Sequence, residues 1–108
     1  MNAVASKKEY IERLKLAVEH LHKCSARHIR TIHVHEQFQG KTVWDGDVEL
    51  FLIFGNLKSE QCYAWSHAEG TNDQGERFVA VLKIPPVDSA EAAVRLQIVK
   101  DVKSGYSK

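Results

Sequence analysis

The most informative pattern in this chain is a pair of strand-like segments that carry large hydrophobic residues at odd and even positions alike. These segments are residues 48–54 and 78–84. Side chains alternate between the two faces of a strand, so each segment presents apolar side chains to both faces of its sheet. We therefore expect something to cover the second face: another copy of the chain, a partner or a ligand.

Helical periodicity marks both ends of the chain. Ser6 and Glu9 have capping-box spacing, and an apolar stripe follows them at three- and four-residue steps, which predicts a helix over residues 6–25. The members of the stripe are Ile11, Leu14, Ala17, Val18, Leu21 and Cys24. A second helix, capped by Asp88-Ser89-Ala90-Glu91, is predicted over residues 88–104, and residues 105–108 are expected to form a frayed tail.

Alternating hydrophobicity predicts a four-stranded sheet over residues 30–84, between the two helices. The predicted strands are residues 30–38, a second strand that runs to Phe54, residues 62–69 and residues 78–84. Two interpretations compete for the first connection: a tight hairpin at Asp45-Gly46, or a turn at Gly40 with a bulge at Gly46. We favour the second, because it gives the apolar run from Val48 a long partner strand.

These elements predict a single α+β domain over residues 1–108, a length typical of one domain. The order α-β-β-β-β-α with short connections favours a four-stranded antiparallel meander. Both helices are expected to pack on one face of the sheet, which would give a two-layer sandwich. A sheet curled around the first helix into a cone-shaped pocket is the alternative.

Composition and charge exclude several classes of function. The net charge is +1, which gives no general attraction to nucleic acid or to an anionic membrane. No apolar run approaches the ~20 residues of a membrane span, and no signal peptide is visible. Two cysteines do not make a disulfide framework, so we predict a cytoplasmic protein. From the charge and the short apolar runs we predict that it binds neither nucleic acid nor membrane.

One sheet face is predicted to be open and to carry the binding surface. On the third strand, Tyr63 and Trp65 point to one face while small residues point to the other, and we assign the small set to the helix side. The predicted members of the open face are His33, His35, Phe51, Ile53, Tyr63, Trp65, His67, Glu69, Val79 and Val81. Aromatic residues are enriched in interface cores, so the leading prediction is an interaction protein that forms a homodimer through this face.

An alternative function uses the same face as a cavity. A small-molecule-binding protein or small enzyme would line that cavity with Tyr63, Trp65 and the histidines, and its ligand would be small and apolar or aromatic. A heteromeric partner is the remaining alternative for this surface.

Metal and acid–base chemistry have local candidates. His33 and His35 point the same way on a strand, a spacing that a zinc site could use with His67 or Glu69 as a third ligand. Asp45, Asp47 and Glu49 could act as acid and base groups. Paired histidines on an exposed strand and carboxylates near a turn are usually solvated, and no nucleophile elbow or phosphate-binding loop is present. We therefore predict no catalytic residue, no metal and no cofactor.

Overall fold

The computed structural model describes residues 3–68 and 76–103, with side chains described for residues 7–66 and 77–101. Across the described residues the chain forms two helices and four strands, and the predicted α+β class and element order are confirmed. The helices are α1, Ala3–His22, and α2, Ala90–Lys103. The strands are β1, Ser25–Phe38; β2, Lys41–Phe54; β3, Gln61–Ala68; and β4, Glu76–Leu82.

The four strands form one antiparallel sheet in the order β1-β2-β3-β4, so the predicted meander is confirmed. β1 and β2 form a long hairpin whose turn lies at Gln39 and Gly40, with φ angles of 53° and 80°. Glycine adopts this left-handed conformation without a steric penalty. The predicted turn at Gly40 is confirmed, whereas the bulge predicted at Gly46 is wrong because Gly46 pairs in register with Val34.

A bulge near the start of the hairpin explains why β1 is longer than predicted. Ile29 is an extra residue between the β1 positions that pair with Phe51 and Leu50. One extra residue reverses the side-chain alternation, so the pattern before the bulge is out of phase with the pattern after it. The alternation that predicts a strand from Arg30 therefore does not extend back to Ser25, where the strand begins.

Both ends of α1 differ from the prediction. The helix begins at Ala3, so the predicted cap at Ser6 lies inside it and is wrong. At the other end, Lys23 adopts a φ of 53°, and the Cys24 amide donates a 3.2 Å hydrogen bond to the carbonyl oxygen of Glu19. This Schellman pattern ends a right-handed helix, and α1 consequently stops earlier than predicted.

α2 begins at Ala90, two residues after the predicted start, and its cap lies at Ser89, within the segment predicted to cap it. The Ser89 hydroxyl oxygen accepts a 3.1 Å hydrogen bond from the amide of Ala92, which satisfies one of the amides that have no partner within the helix. α2 continues to Lys103, and the predicted tail over residues 105–108 lies outside the described residues.

The two helices pack on opposite faces of the sheet, so the prediction that both lie on one face is wrong. Leu14 and Val18 of α1 pack in one core with Phe51, whereas Ala93 and Val94 of α2 pack in the other with Leu50. Adjacent residues of β2 point in opposite directions, so Phe51 and Leu50 serve different cores. The two-sided apolar character of β2 is thereby satisfied within one chain, and no second molecule is required to cover it.

The sheet divides where β2 leaves β3. Within the described strands, β2 pairs with β3 only over residues 49–52, while the β1–β2 hairpin continues past them. We call residues 31–48 the distal hairpin. Trp44 in this hairpin makes an edge-to-face contact with Trp65 of β3, with ring centroids 5.7 Å apart, so the two parts of the sheet stay in contact on the α2 face.

Candidate functional site

The open sheet face that the sequence predicts does not form. Tyr63, Trp65 and Val79 are buried in the core beneath α2. Phe51 and Ile53 are buried in the core beneath α1. Trp65 is only 2% exposed, so it cannot meet a partner without unfolding of the core. The predicted arrangement of these five side chains on one exposed face is therefore wrong.

The remaining members of the predicted face are also divided. Val81 packs at the edge of the α2 core, whereas His33 and His35 are exposed on the α1 side of the hairpin. His67 lies in β3, but its side chain is not among those described, and Glu69 lies outside the described residues. Any role of His67 and Glu69 stays a prediction.

Histidines and carboxylates form a ladder across the long hairpin. Cross-strand pairing places Thr31 opposite Glu49, His33 opposite Asp47 and His35 opposite Asp45. Residues that are directly opposite in an antiparallel pair share a face, and opposite charges there attract. Together with two further contacting residues they form what we call the histidine–carboxylate ladder: Lys7, His28, Thr31, His33, His35, Asp45, Asp47 and Glu49.

Glu49 is the buried end of the ladder. Its side chain is fully buried and accepts hydrogen bonds from the Lys7 ammonium (2.9 Å), the Thr31 hydroxyl and a ring nitrogen of His28 (2.8 Å). A buried carboxylate needs such donors because burial removes it from water. Desolvation lowers the pKa of Lys7, but the hydrogen bond and charge of Glu49 outweigh it and raise that pKa above its ordinary value.

The surroundings of Glu49 favour a structural role over a catalytic one. The His28 ring makes an edge contact with Phe51 at 5.4 Å between centroids, which fixes the ring that donates to Glu49. Both carboxylate oxygens already accept from protein donors. The network connects α1 to the first two strands, and both oxygens of Glu49 are occupied by its hydrogen bonds. The proposed acid–base role of Glu49 therefore gains no support from its contacts.

His33 occupies the exposed part of the ladder between two carboxylates. Its Nδ1 lies 2.9 Å from Asp47 Oδ1, and its Nε2 lies 2.8 Å from Asp45 Oδ1. His35 is the next residue along, with Nδ1 3.5 Å from Asp45 Oδ2. The hydrogen bond with Asp47 raises the pKa of His33 above its ordinary value, and the charge of Asp45 acts in the same direction.

The ladder does not form a metal centre in the part of the chain that the structure describes. No group of three or more His, Cys, Asp or Glu side chains there is arranged to hold a metal ion. His33 and His35 contact carboxylates through their ring nitrogens instead. What this arrangement can do chemically is bind and release a proton between two strands.

A second feature, which the sequence does not reveal, is an apolar cleft between the distal hairpin and α2. Phe38 and Val43 form its hairpin wall, and Ile98 and Val99 form its helical wall. The cleft is open to solvent and has a volume of about 550 Å³. Phe38 is 65% exposed although its alternation with Ile32 assigns it to the core. We call these four residues, together with the rim residues Glu36, Gln37 and Arg95, the hairpin cleft.

Charged groups of both signs form the rim of the hairpin cleft. Arg95 of α2 donates to Glu36 of β1 through Nε (2.8 Å) and Nη2 (3.3 Å), and Gln37 lies beside them. The bidentate pair connects α2 to the hairpin at the edge of the apolar walls. Hydrophobic alternation does not predict the cleft. Phe38 and Val43 flank a turn, and the register shift after Glu36 interrupts the alternation there.

Comparison with known proteins gives no family for this chain. It matches no protein-family model, no curated protein and no solved structure. Over the residues described here, neither helix has the length and apolar content that crossing a bilayer requires.

Proposed function

We propose that this protein is a small cytoplasmic interaction protein that forms a homodimer, with the hairpin cleft as the surface through which two copies meet. The observation that carries the proposal is the convergence of three exposed large hydrophobic side chains, Phe38, Val43 and Val99, on one cleft. Single exposed hydrophobic residues are ordinary on a protein surface, but a contiguous patch with a polar rim is typical of an interaction site.

The charges of the cleft favour a second copy of the chain as the occupant. Glu36 and Arg95 give the rim one negative and one positive group. In a two-fold symmetric dimer the same patch meets itself, so the exposed Arg95–Glu36 pair of one copy would lie beside the rim of the other and bring no excess of either charge. The net charge of +1 leaves little long-range repulsion between copies. A nucleic acid or a strongly charged partner would find no matching single-sign surface at this rim.

The alternative occupant is a small apolar ligand. A volume of about 550 Å³ lies within the ~300–1,000 Å³ typical of ligand pockets. Cytoplasmic placement is proposed because Cys24 and Cys62 are both free thiols in the described chain, as expected of a reducing compartment. The pocket lined by Tyr63, Trp65 and histidines is not part of this proposal, because the two aromatic rings are core residues.

Sedimentation velocity over a range of micromolar concentrations tests the proposal. We expect the wild-type chain to form dimers, and Phe38→Glu and Val99→Glu to remain monomeric with unchanged far-ultraviolet circular dichroism. Burying a side chain of this size contributes about 1.5–3 kcal/mol, so each substitution should weaken association at least about tenfold.

Leu57→Glu is the matched control, because Leu57 is a fully exposed hydrophobic residue in the β2–β3 connection, away from the cleft. Its dimerisation should equal that of the wild type. A wild-type chain that stays monomeric at every concentration would refute the proposal. If that monomer is also stabilised against heat by a small apolar compound, and Phe38→Glu removes the effect, the ligand alternative would be supported instead.

A further inference from the structure

The contacts of His33 with two carboxylates favour one protonation state of its ring. One ring nitrogen lies 2.9 Å from Asp47 Oδ1 and the other lies 2.8 Å from Asp45 Oδ1. Ionised carboxylates can only accept hydrogen bonds, and neutral imidazole has one donor and one acceptor nitrogen. Both contacts are therefore favourable only when His33 is an imidazolium. A neutral ring would direct its lone pair at a carboxylate oxygen.

The charged groups around His33 come from three elements. Asp45 and Asp47 lie on β2, and His35 on β1 contacts Asp45 at 3.5 Å. From α1, the Lys7 ammonium lies 3.7 Å from Asp47 and 2.9 Å from Glu49. Asp47 thus keeps a second cation when His33 is neutral, whereas His33 is the closer of the two ring partners of Asp45.

The position of these contacts connects them to the hairpin cleft. They join β1 to β2 within the distal hairpin, in the part of β2 that does not pair with β3. The same two strands continue to Phe38 and Val43, which form one wall of the cleft. α2, which supplies the other wall, packs on the opposite face of the sheet from the ladder. His33 can therefore affect the cleft only through the pairing of the two strands.

We infer that His33 is a pH-responsive clamp: its imidazolium holds the strands of the distal hairpin together, and its deprotonation loosens the hairpin wall of the cleft and weakens self-association. The clamp deepens the proposed function, and its effect on association rests on that function. The pKa of His33 is raised in the folded chain. Its contribution is therefore complete below the unfolded value of about 6.5 and is lost as pH rises through the raised folded value.

Nuclear magnetic resonance titration of the His33 ring tests the clamp directly. We expect a midpoint above about 6.5 in the wild type, and a lower midpoint in the Asp45→Asn/Asp47→Asn double variant. Hydrogen exchange of peptides within the distal hairpin, corrected for intrinsic rates, should accelerate above the midpoint in the wild type but not in His33→Asn. A midpoint at or below the ordinary value, unchanged by the double variant, would overturn the clamp.

Association is measured separately, so the two proposals can fail independently. The wild-type dissociation constant should rise roughly twofold to fivefold across the midpoint, as expected for an exposed charge interaction. His33→Asn should lose this pH dependence, and His20→Asn, at an exposed position of α1, should keep it. If the wild type is monomeric, self-association is refuted and hydrogen exchange alone decides the clamp. If a dimer shows the same pH dependence in His33→Asn, the effect of the clamp on association is refuted.

Discussion

Replacing Glu49 by glutamine tests whether the buried carboxylate holds the hairpin against α1. Glutamine has nearly the same shape, but it has one acceptor oxygen, and its amide group would face a donor. Glu49 accepts from Lys7, His28 and Thr31 and is fully buried. We expect Glu49→Gln to lower the free energy of unfolding while leaving the fold intact.

The magnitude follows from these three contacts. A hydrogen bond to a charged group contributes about 1.5–3 kcal/mol net. The Lys7 side chain is 42% exposed and Thr31 lies at an exposed position, so both donors can turn to water when the carboxylate is removed. His28 is 26% exposed and recovers less. One full bond and a fraction of two others give about 2–4 kcal/mol, a large part of the ~5–15 kcal/mol typical of a domain.

Urea unfolding measures this change, with tryptophan fluorescence reporting on the contact between Trp44 and Trp65 on the opposite face of the sheet. The slope of the transition should be unchanged while its midpoint falls. Glu12→Gln is the control, because Glu12 is 63% exposed and its contact with Lys15 is a surface pair. It should change stability by less than ~0.5 kcal/mol. A Glu49→Gln variant as stable as this control would refute the structural role.

Burial and close contacts also determine how the chain responds to changes at Trp65, Gly46 and Cys62. Trp65→Glu should unfold the chain rather than separate a folded dimer, because Trp65 is a core residue; a helical, monomeric variant by circular dichroism and sedimentation would contradict this. Gly46→Ala would place a Cβ 3.2 Å from the Trp44 ring, so it should destabilise the chain by about 1 kcal/mol in urea unfolding, and an unchanged midpoint would show that the ring can move freely. Burial raises the pKa of the Cys62 thiol to about 12, so iodoacetamide at pH 8 should modify it only after unfolding, while rapid labelling of the native chain by mass spectrometry would place Cys62 outside the core.

Local patterns were sufficient to predict the elements and their connectivity. The turn at Gly40, the cap at Ser89 and the meander depend on residues close together in sequence, where turn geometry and capping leave few alternatives. The end of α1 is less predictable, because its positive φ falls at Lys23 and not at a glycine, the residue that usually marks this conformation in a sequence.

The assignment of faces could not be obtained from alternation alone. The small residues Cys62 and Ala64 do lie beneath a helix, as predicted, but Tyr63 and Trp65 lie beneath the other helix. Alternation separates the two sets without stating what covers each one. A strand that is apolar on both faces fits a chain with one helix on each side as well as it fits a dimer, and only the tertiary packing distinguishes them.

The candidate site was partly predicted. Alternation along β1 identifies His33 and His35 as a same-face pair, but their carboxylate partners depend on the register of β1 against β2. Lys7 reaches Glu49 from a different element, across 42 residues of sequence. Such long-range pairings leave no periodic signal along the chain, so the ladder becomes recognisable only once the strands are paired.

The most direct test of self-association through the hairpin cleft is an isotope-filtered nuclear Overhauser measurement on a mixture of labelled and unlabelled chains. It detects only contacts between copies. We expect intermolecular signals between the Phe38 ring of one copy and the Val99 methyl groups of the other. A dimer whose intermolecular signals arise at Leu57 instead, or a concentrated sample with no intermolecular signals, would rule out self-association through the hairpin cleft.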